Sequence, residues 1–152
     1  MAGAGIVKAE YNDSEFQEII DALSKASMPD LLKLGEFAGA ELDYISKKKA
    51  FEKEKDPVSE KNWEKLKRPR HEGKKMLDLG GHLYRSLTWE AFPDAVIYGS
   101  NVEYARIHQE GGQTGRGKKS NIPARPYMGV TKDFDRRLLS DPEVLKLLGL
   151  EA

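Results

Sequence analysis

Three histidines are the side chains of this chain best suited to metal binding or to acid–base catalysis. His71 lies in a basic stretch, His82 precedes an alternating segment, and His108 falls in a short helical pattern. None of them has the His-x-x-x-His spacing or the carboxylate grouping that metal sites need. Asp78 lies four residues before His82, but no nucleophile motif accompanies this pair. We therefore expect no metal, no cofactor and no catalytic residue.

A glycine-rich segment resembles a phosphate-binding loop only in part. Residues Gly112 to Gly117, followed by Lys118, match the first seven positions of Gly-x-x-x-x-Gly-Lys-Ser/Thr. Lys119 then occupies the position where a Ser or Thr hydroxyl would hold magnesium. A helical pattern precedes the segment, where a nucleotide-binding loop would follow a strand. The segment therefore does not predict nucleotide binding.

Two basic clusters make nonspecific nucleic-acid binding the main alternative function. One cluster surrounds Trp63, whose indole can stack on a base, and the other comprises Arg116, Lys118 and Lys119. Flexible cations suffice for contacts with phosphates. The chain has no helix-turn-helix, RRM or KH signature, so we do not expect it to read a nucleotide sequence.

The composition indicates one globular domain with an uneven distribution of charge. The chain has 152 residues, no cysteine, and 25 basic and 25 acidic side chains. Residues 1–43 carry three basic and nine acidic side chains, whereas residues 44–75 carry twelve basic and six acidic ones. Such charge runs usually form solvated helix surfaces. The alternative is a head-to-tail contact between copies, which closes into a ring when the rotation permits. No apolar stretch is long enough to span a membrane, and no secretory signal is visible.

Helical patterns dominate the first half of the chain. Ser14 with Gln17 three residues later is a capping box, and apolar spacing predicts a helix over about residues 14–26. The sequence Ser27-Met28-Pro29-Asp30 predicts a second helix start, and this helix extends to about residue 54. We expect residues 55–75 to form a mobile basic arm.

The second half of the chain changes to a mixed pattern. Alternation between apolar and polar side chains predicts a hairpin over 83–99, followed by a short helix to about Gln109. Residues 112–121 read as a mobile loop, residues 122–127 as extended chain, and the end as one or two helices. The fold class is therefore α+β, as a single domain over residues 1–152. An antiparallel sheet that includes the central hairpin packs against the N-terminal and C-terminal helices.

Two motifs separated by a variable loop carry a resemblance to a known family. They read Tyr-Ala-Arg-Ile-His-Gln-Glu-Gly-Gly at 104–112 and Ile-Pro-Ala-Arg-Pro-Tyr-Met-Gly at 122–129. In this order they resemble the virion morphogenesis (tail completion) family of tailed phages, and the similarity extends over about residues 50–135. Glu110 departs from the family pattern, in which Phe is common at this position.

The resemblance implies a non-enzymatic structural protein. It implies a ring of identical subunits, often hexameric, that acts in tail completion or head–tail joining. The partners implied are further copies of the chain, phage tail and connector proteins, and packaged DNA bound nonspecifically, with no membrane. The protein would then reside in the host cytoplasm during assembly and afterwards in the virion.

The resemblance also selects candidate residues for assembly. These residues are Tyr104, His108, Gly111, Gly112, Pro123, Arg125 and Pro126. Tyr104 and His108 lie one helical turn apart, which suits a packing pair as well as a contact with a partner. Arg125 between two prolines can lock the domain internally or clamp a neighbouring subunit. Trp63, Arg116, Lys118 and Lys119 are the residues expected to contact a partner or DNA.

Overall fold

The computed structural model describes residues 13–65 and 81–150, and one long helix organises them. α1 (Asp13–Lys25) leads through a two-residue turn into α2 (Met28–Tyr44). α2 continues without a break into a π-helical segment, Ile45–Phe51. Ser27 caps α2, because its side chain accepts a hydrogen bond from the Asp30 backbone N–H at 3.2 Å. The predicted start of this helix is confirmed.

A central hairpin packs on one face of α2. It consists of β1 (Thr88–Phe92) and β2 (Ala95–Gly99), paired antiparallel with Trp89 opposite Tyr98. Two glycines of α2 let the hairpin approach closely. A Cβ on Gly35 would lie 2.9 Å from the Ala91 Cβ, and one on Gly39 would lie 2.2 Å from the Trp89 ring. The Trp89 indole then donates to Glu36 at 2.9 Å.

The remaining elements complete an α+β fold, as the sequence predicts. They are α3 (His82–Ser86), α4 (Ala105–Glu110), β3 (Gly112–Thr114), β4 (Ser120–Ile122), α5 (Phe134–Leu139) and α6 (Pro142–Leu148). α5 and α6 pack on α2, and α1 packs on α6. The strands form two separate two-stranded sheets, β1–β2 and β3–β4, where a single sheet was expected. In the described ranges, no helix has the length and apolar character needed to cross a membrane.

The structure corrects the predicted start of the central hairpin. The segment from His82 to Ser86 is helical, and the hairpin begins only at Thr88. Leu83 and Leu87 lie four residues apart and are both buried, at 2% and 4% exposure. A helical turn places residues four apart on one face, so it buries both leucines. A strand would also place them on one face, and the alternation therefore fits both structures.

An aromatic core forms at the end of the long helix. Phe51 packs edge-on against Trp63 and Tyr84, with ring centroids 5.8 and 5.5 Å away, and lies 5.4 Å from the Tyr127 ring. Trp63 is only 4% exposed and Tyr127 is fully buried. The predicted mobile arm therefore begins with an ordered segment: residues 55–65 are folded against this core, and Lys55 pairs with Asn62. Residues 66–75 of the arm lie outside the described ranges.

Candidate functional site

The second family motif forms an extended strap, residues 123–129, which lies against α4. Gln109 of α4 holds the strap through three hydrogen bonds. Its side-chain oxygen accepts from the backbone N–H groups of Tyr127 and Met128 at 2.9 and 3.1 Å. Its side-chain nitrogen donates to the Met128 carbonyl at 3.1 Å. Gln109 thus gives this segment the pairing that a neighbouring strand would otherwise supply.

Residues 63 and 64 hold the strap from its other side. The Trp63 indole donates to the Pro126 carbonyl at 2.8 Å. Arg125 donates from Nε and one terminal nitrogen to the Glu64 carbonyl, at 2.9 and 2.8 Å. Arg125 is only 6% exposed, and burial lowers its pKa, while the carboxylates of Glu64 and Glu54 oppose this shift. Within this chain Arg125 therefore serves as an internal lock.

The backbone of the strap lies very close to the end of α4. Gly111 ends α4 with φ +73°, and a Cβ there would lie 2.7 Å from the Ala124 backbone nitrogen. The Tyr127 hydroxyl donates to the Ala105 carbonyl at 2.8 Å. Burial raises the pKa of Tyr127 to about 12. Glycine at 111 is thus required both for its backbone angle and for the space that the strap occupies.

Tyr104, immediately before α4, packs against His108 in the last turn of the helix. Their rings are 5.7 Å apart and nearly perpendicular, and Tyr104 remains 41% exposed. The His108 carbonyl accepts from the Arg125 backbone N–H at 2.8 Å. Nδ1 of His108 is buried, and the described residues provide no hydrogen-bond partner for it. Burial, and secondly the charge of Arg125, lower the pKa of His108.

The loop between the two motifs forms a cationic hairpin, residues 112–122. Gly112 pairs with Ile122, and Thr114 pairs with Ser120. Three exposed cations lie at or near its tip, namely Arg116, Lys118 and Lys119. The segment contains no acidic residue, and none of its cations is paired with a carboxylate of the described ranges. This surface is thus available to an anionic partner.

The structure brings together most of the residues selected from the sequence. Gly111, Pro123, Arg125 and Pro126 belong to the strap or to its contact with α4, and Gly112 opens the cationic hairpin. Trp63 was expected to contact a partner or DNA, but the structure places its indole in the core. Sequence reasoning did not assign a role to Gln109 or Tyr127. Both residues lie inside the two family motifs, and this position was the signal that could have revealed their roles.

The described ranges contain no group of three or more His, Asp or Glu side chains that could hold a metal ion. A shallow groove between α1 and the C-terminal helices is lined by Ile19, Leu139, Leu145 and Leu150 together with the charged side chains of Glu15, Glu18 and Arg136. The motif residues form hydrogen bonds to the backbone that hold the strap between α4 and residues 63–64.

Comparison with known proteins identifies the family of this chain. The model of the phage virion morphogenesis family matches residues 11–142. The chain therefore belongs to the phage virion morphogenesis family, as the two motifs predicted.

Two individual relatives share substantial identity with the chain. The Mu-like prophage FluMu G protein 2 of Haemophilus influenzae is 40% identical over 79 residues, which are 52% of this chain and 55% of that protein. The putative capsid assembly protein G of Escherichia phage Mu is 35% identical over 102 residues, 61% of this chain and 65% of that protein. The matches thus span just over half to just under two thirds of these relatives. No solved structure matches the chain.

Proposed function

We propose that this protein is a non-enzymatic structural component of phage virion assembly. It acts at tail completion or head–tail joining, as a ring of identical subunits that binds tail and connector proteins. The family match over residues 11–142 supports this proposal, as does the similarity to a relative named as a putative capsid assembly protein.

The observation that carries the proposal is the arrangement of the family motifs. Gln109, Trp63 and Arg125 direct their side-chain hydrogen bonds to backbone groups of their own chain. These residues therefore stabilise a scaffold. The scaffold presents the cationic hairpin at its surface, between the two motifs, where another molecule can reach it.

The proposal is tested by the mass of the protein in solution. Light scattering over a concentration series, at low and moderate salt, should show a discrete ring-sized species that dissociates on dilution. Electron microscopy of the same sample should show closed rings of one size. A protein that remains monomeric at every concentration, without rings on grids, contradicts the ring.

The cationic hairpin also supports a second function, nonspecific binding of nucleic acid. Arg116, Lys118 and Lys119 are exposed and lie together without acidic neighbours in the hairpin. Affinity for duplex DNA of mixed sequence should fall steeply with salt, because released counterions drive such binding. Replacing Lys118 and Lys119 by Glu should abolish the affinity. If this variant binds DNA as the parent does, the hairpin is not the DNA contact.

A further inference from the structure

The central hairpin presents two strand edges that no described strand covers. β1 and β2 form a sheet of two strands, so each strand has one side without a neighbouring strand. In the described ranges, α2 is the one element that packs extensively against the hairpin, and it covers a face of the sheet and not an edge. A strand edge is a row of backbone N–H and C=O groups and is a template for pairing with another strand.

The register of the hairpin identifies the backbone groups that point away from it. Phe92 and Ala95 flank the two-residue turn and pair directly. Pairs that exchange hydrogen bonds alternate with pairs that do not, so Glu90 and Ile97 also bond to each other. The residues of the alternate pairs direct their N–H and C=O groups outward, and they are Trp89 and Ala91 on β1, and Val96 and Tyr98 on β2. Among the other backbone hydrogen bonds of the described residues, none reaches these groups.

The edges of the central hairpin lack the features that keep sheet edges apart. Natural sheets protect an edge with lysine, proline or a bulge. Neither strand contains lysine, arginine or proline, and the five residues of β1 pair one to one with the five of β2, without a bulge. In the cationic hairpin, by contrast, the strands have only three residues each, and three exposed cations lie at or near its tip. Of the two described sheets, the central hairpin is therefore the one suited to edge pairing.

The outer face of the central hairpin adds apolar contact area next to these edges. Trp89 and Tyr98 point to α2, where they donate to Glu36 and Asp43. The side chains between them point the other way, and they include Phe92 and Ile97, which are 38% and 52% exposed. A strand that pairs with either edge would pack its own side chains against these two residues. The exposed apolar residues thus suit the same occupant as the free backbone groups, namely a strand.

We infer that the β2 edge of one subunit pairs with the β1 edge of the next subunit. This inference rests on the proposed function, because it assigns the contact that joins subunits of the ring. The partner has to present a strand with unpaired backbone groups of its own, and a second copy offers one of the same length. Pairing β2 with β1 keeps neighbouring strands antiparallel and leaves every α2 on the same face of the sheet. Because the two edges differ, the contact is head-to-tail and repeats from copy to copy.

Hydrogen exchange resolved to single amides tests the pairing directly. In dilute, monomeric protein the amides of Val96 and Tyr98 should exchange rapidly, whereas the amide of Ile97, bonded inside the hairpin, should be protected. At concentrations that favour assembly, Val96 and Tyr98 should become protected, and so should Trp89 and Ala91 on β1. Ile97 is the internal control, since it lies in the same strand and its protection does not depend on a second copy.

A double lysine variant of the full chain tests the contribution of the edges to assembly. Phe92→Lys with Ile97→Lys introduces on both strands the side chain that natural sheets use against edge pairing. Self-association measured by light scattering should weaken by about 10-fold or more, because apolar cross-strand contacts are lost. The matched control is Val58→Lys with Val130→Lys, at apolar residues outside the hairpin that are 46% and 42% exposed. It should associate as the parent does, and far-ultraviolet circular dichroism should show that both variants are folded.

The outcomes separate the inference from the proposed function. Rings that form while the four edge amides stay unprotected, or in which the two double variants assemble equally well, overturn the inference and leave the ring intact. Edge amides that are already protected in the monomer overturn it as well, because the edges are then covered by their own chain. Protection of β2 alone, in a species of two subunits, replaces the head-to-tail contact by a symmetric dimer. A parent protein that stays monomeric at every concentration overturns the contact and the solution ring together.

Discussion

At the scale of single residues, Gln109 shows how one side chain can replace a strand. It meets three backbone groups of the strap, while Trp63 and the Glu64 carbonyl hold the strap from the other side. A buried backbone N–H or C=O group without a hydrogen-bond partner lowers the stability of the fold. The presence of Gln109 in the first family motif is therefore explained by the hydrogen bonds that it makes to backbone groups of the strap.

Replacing Gln109 by Ala should lower the free energy of unfolding by about 2–4 kcal/mol, because three hydrogen bonds are lost and two backbone N–H groups are left buried. Chemical denaturation measures the change. The matched control is Gln113→Ala, at an exposed position of the cationic hairpin, where a change within about 0.5 kcal/mol is expected. Equal effects of the two substitutions would contradict the role assigned to Gln109.

His108 should make the fold sensitive to mild acid. Its folded-state pKa is lowered, so the unfolded chain binds a proton more readily than the folded chain does. The free energy of unfolding should therefore fall as the pH drops below about 6.5, the ordinary value for histidine. The change should continue until His108 also protonates in the folded chain, beside the positive charge of Arg125.

Denaturation curves from pH 7.5 to 5 measure this dependence. His108→Gln should flatten it, because the group that titrates is gone. His82→Gln changes an exposed histidine and should leave the profile of the parent unaltered. If both variants keep the parental slope, another group controls the acid response.

At the scale of elements, the contact between α2 and the central hairpin depends on small residues. Gly39→Ala would place a Cβ 2.2 Å from the Trp89 ring, so the hairpin has to shift and the Trp89–Glu36 hydrogen bond has to lengthen. We expect a loss of about 1–3 kcal/mol, typical of overpacking. Chemical denaturation measures it, and near-ultraviolet circular dichroism reports the altered tryptophan environment.

The control for Gly39 is the same substitution at the end of β2. A Cβ on Gly99 would meet no atom within 4 Å. Gly99→Ala should therefore leave the stability unchanged or raise it slightly, by restricting the unfolded chain. A loss at Gly99 as large as that at Gly39 would show that the cost comes from the strand and not from the packing of α2.

The elements that the sequence predicts correctly are those with local signals. Ser27 and Pro29 define the start of α2, and Phe92-Pro93-Asp94 marks the turn of the central hairpin; both are confirmed. The helical turn His82–Ser86 was missed, because the same leucines fit a strand as well as a helix. The core position of Trp63 depends on Pro126, 63 residues away, and no local pattern encodes such a contact.

The candidate site was predictable in position but not in mechanism. The two motifs locate α4 and the strap and include Gly111, whose close approach to Ala124 only the structure shows. The direction of the Arg125 guanidinium was open, since a planar fork suits a neighbouring subunit as well as its own chain. The position of the Glu64 carbonyl decides that Arg125 binds its own chain, and the sequence does not reveal that position.

At the scale of the whole molecule, buried tyrosines should limit stability at high pH. Burial raises the pKa of Tyr127 to about 12, and burial also raises that of Tyr98. A tyrosine whose pKa is raised on folding contributes stability that is complete below about pH 10, the unfolded value, and is lost above it. The free energy of unfolding should therefore decline from about pH 10 towards 12.

Denaturation between pH 8 and 11.5 measures this decline. Tyr127→Phe should reduce its slope, leaving the part that belongs to Tyr98. Tyr104→Phe, at a tyrosine that is 41% exposed, should keep the parental slope. A slope unaffected by Tyr127→Phe would contradict the assignment to the aromatic core.

The strap also determines when each chain can finish folding during its synthesis. Its closing bonds join Trp63 to Pro126 and Arg125 to Glu64, pairs separated by 63 and 61 positions along the chain. At 5–20 residues per second, roughly 3–13 s pass between the synthesis of the two partners. During that interval the indole of Trp63 has no acceptor in the strap. Translation therefore imposes a delay of this length on the folding of every copy.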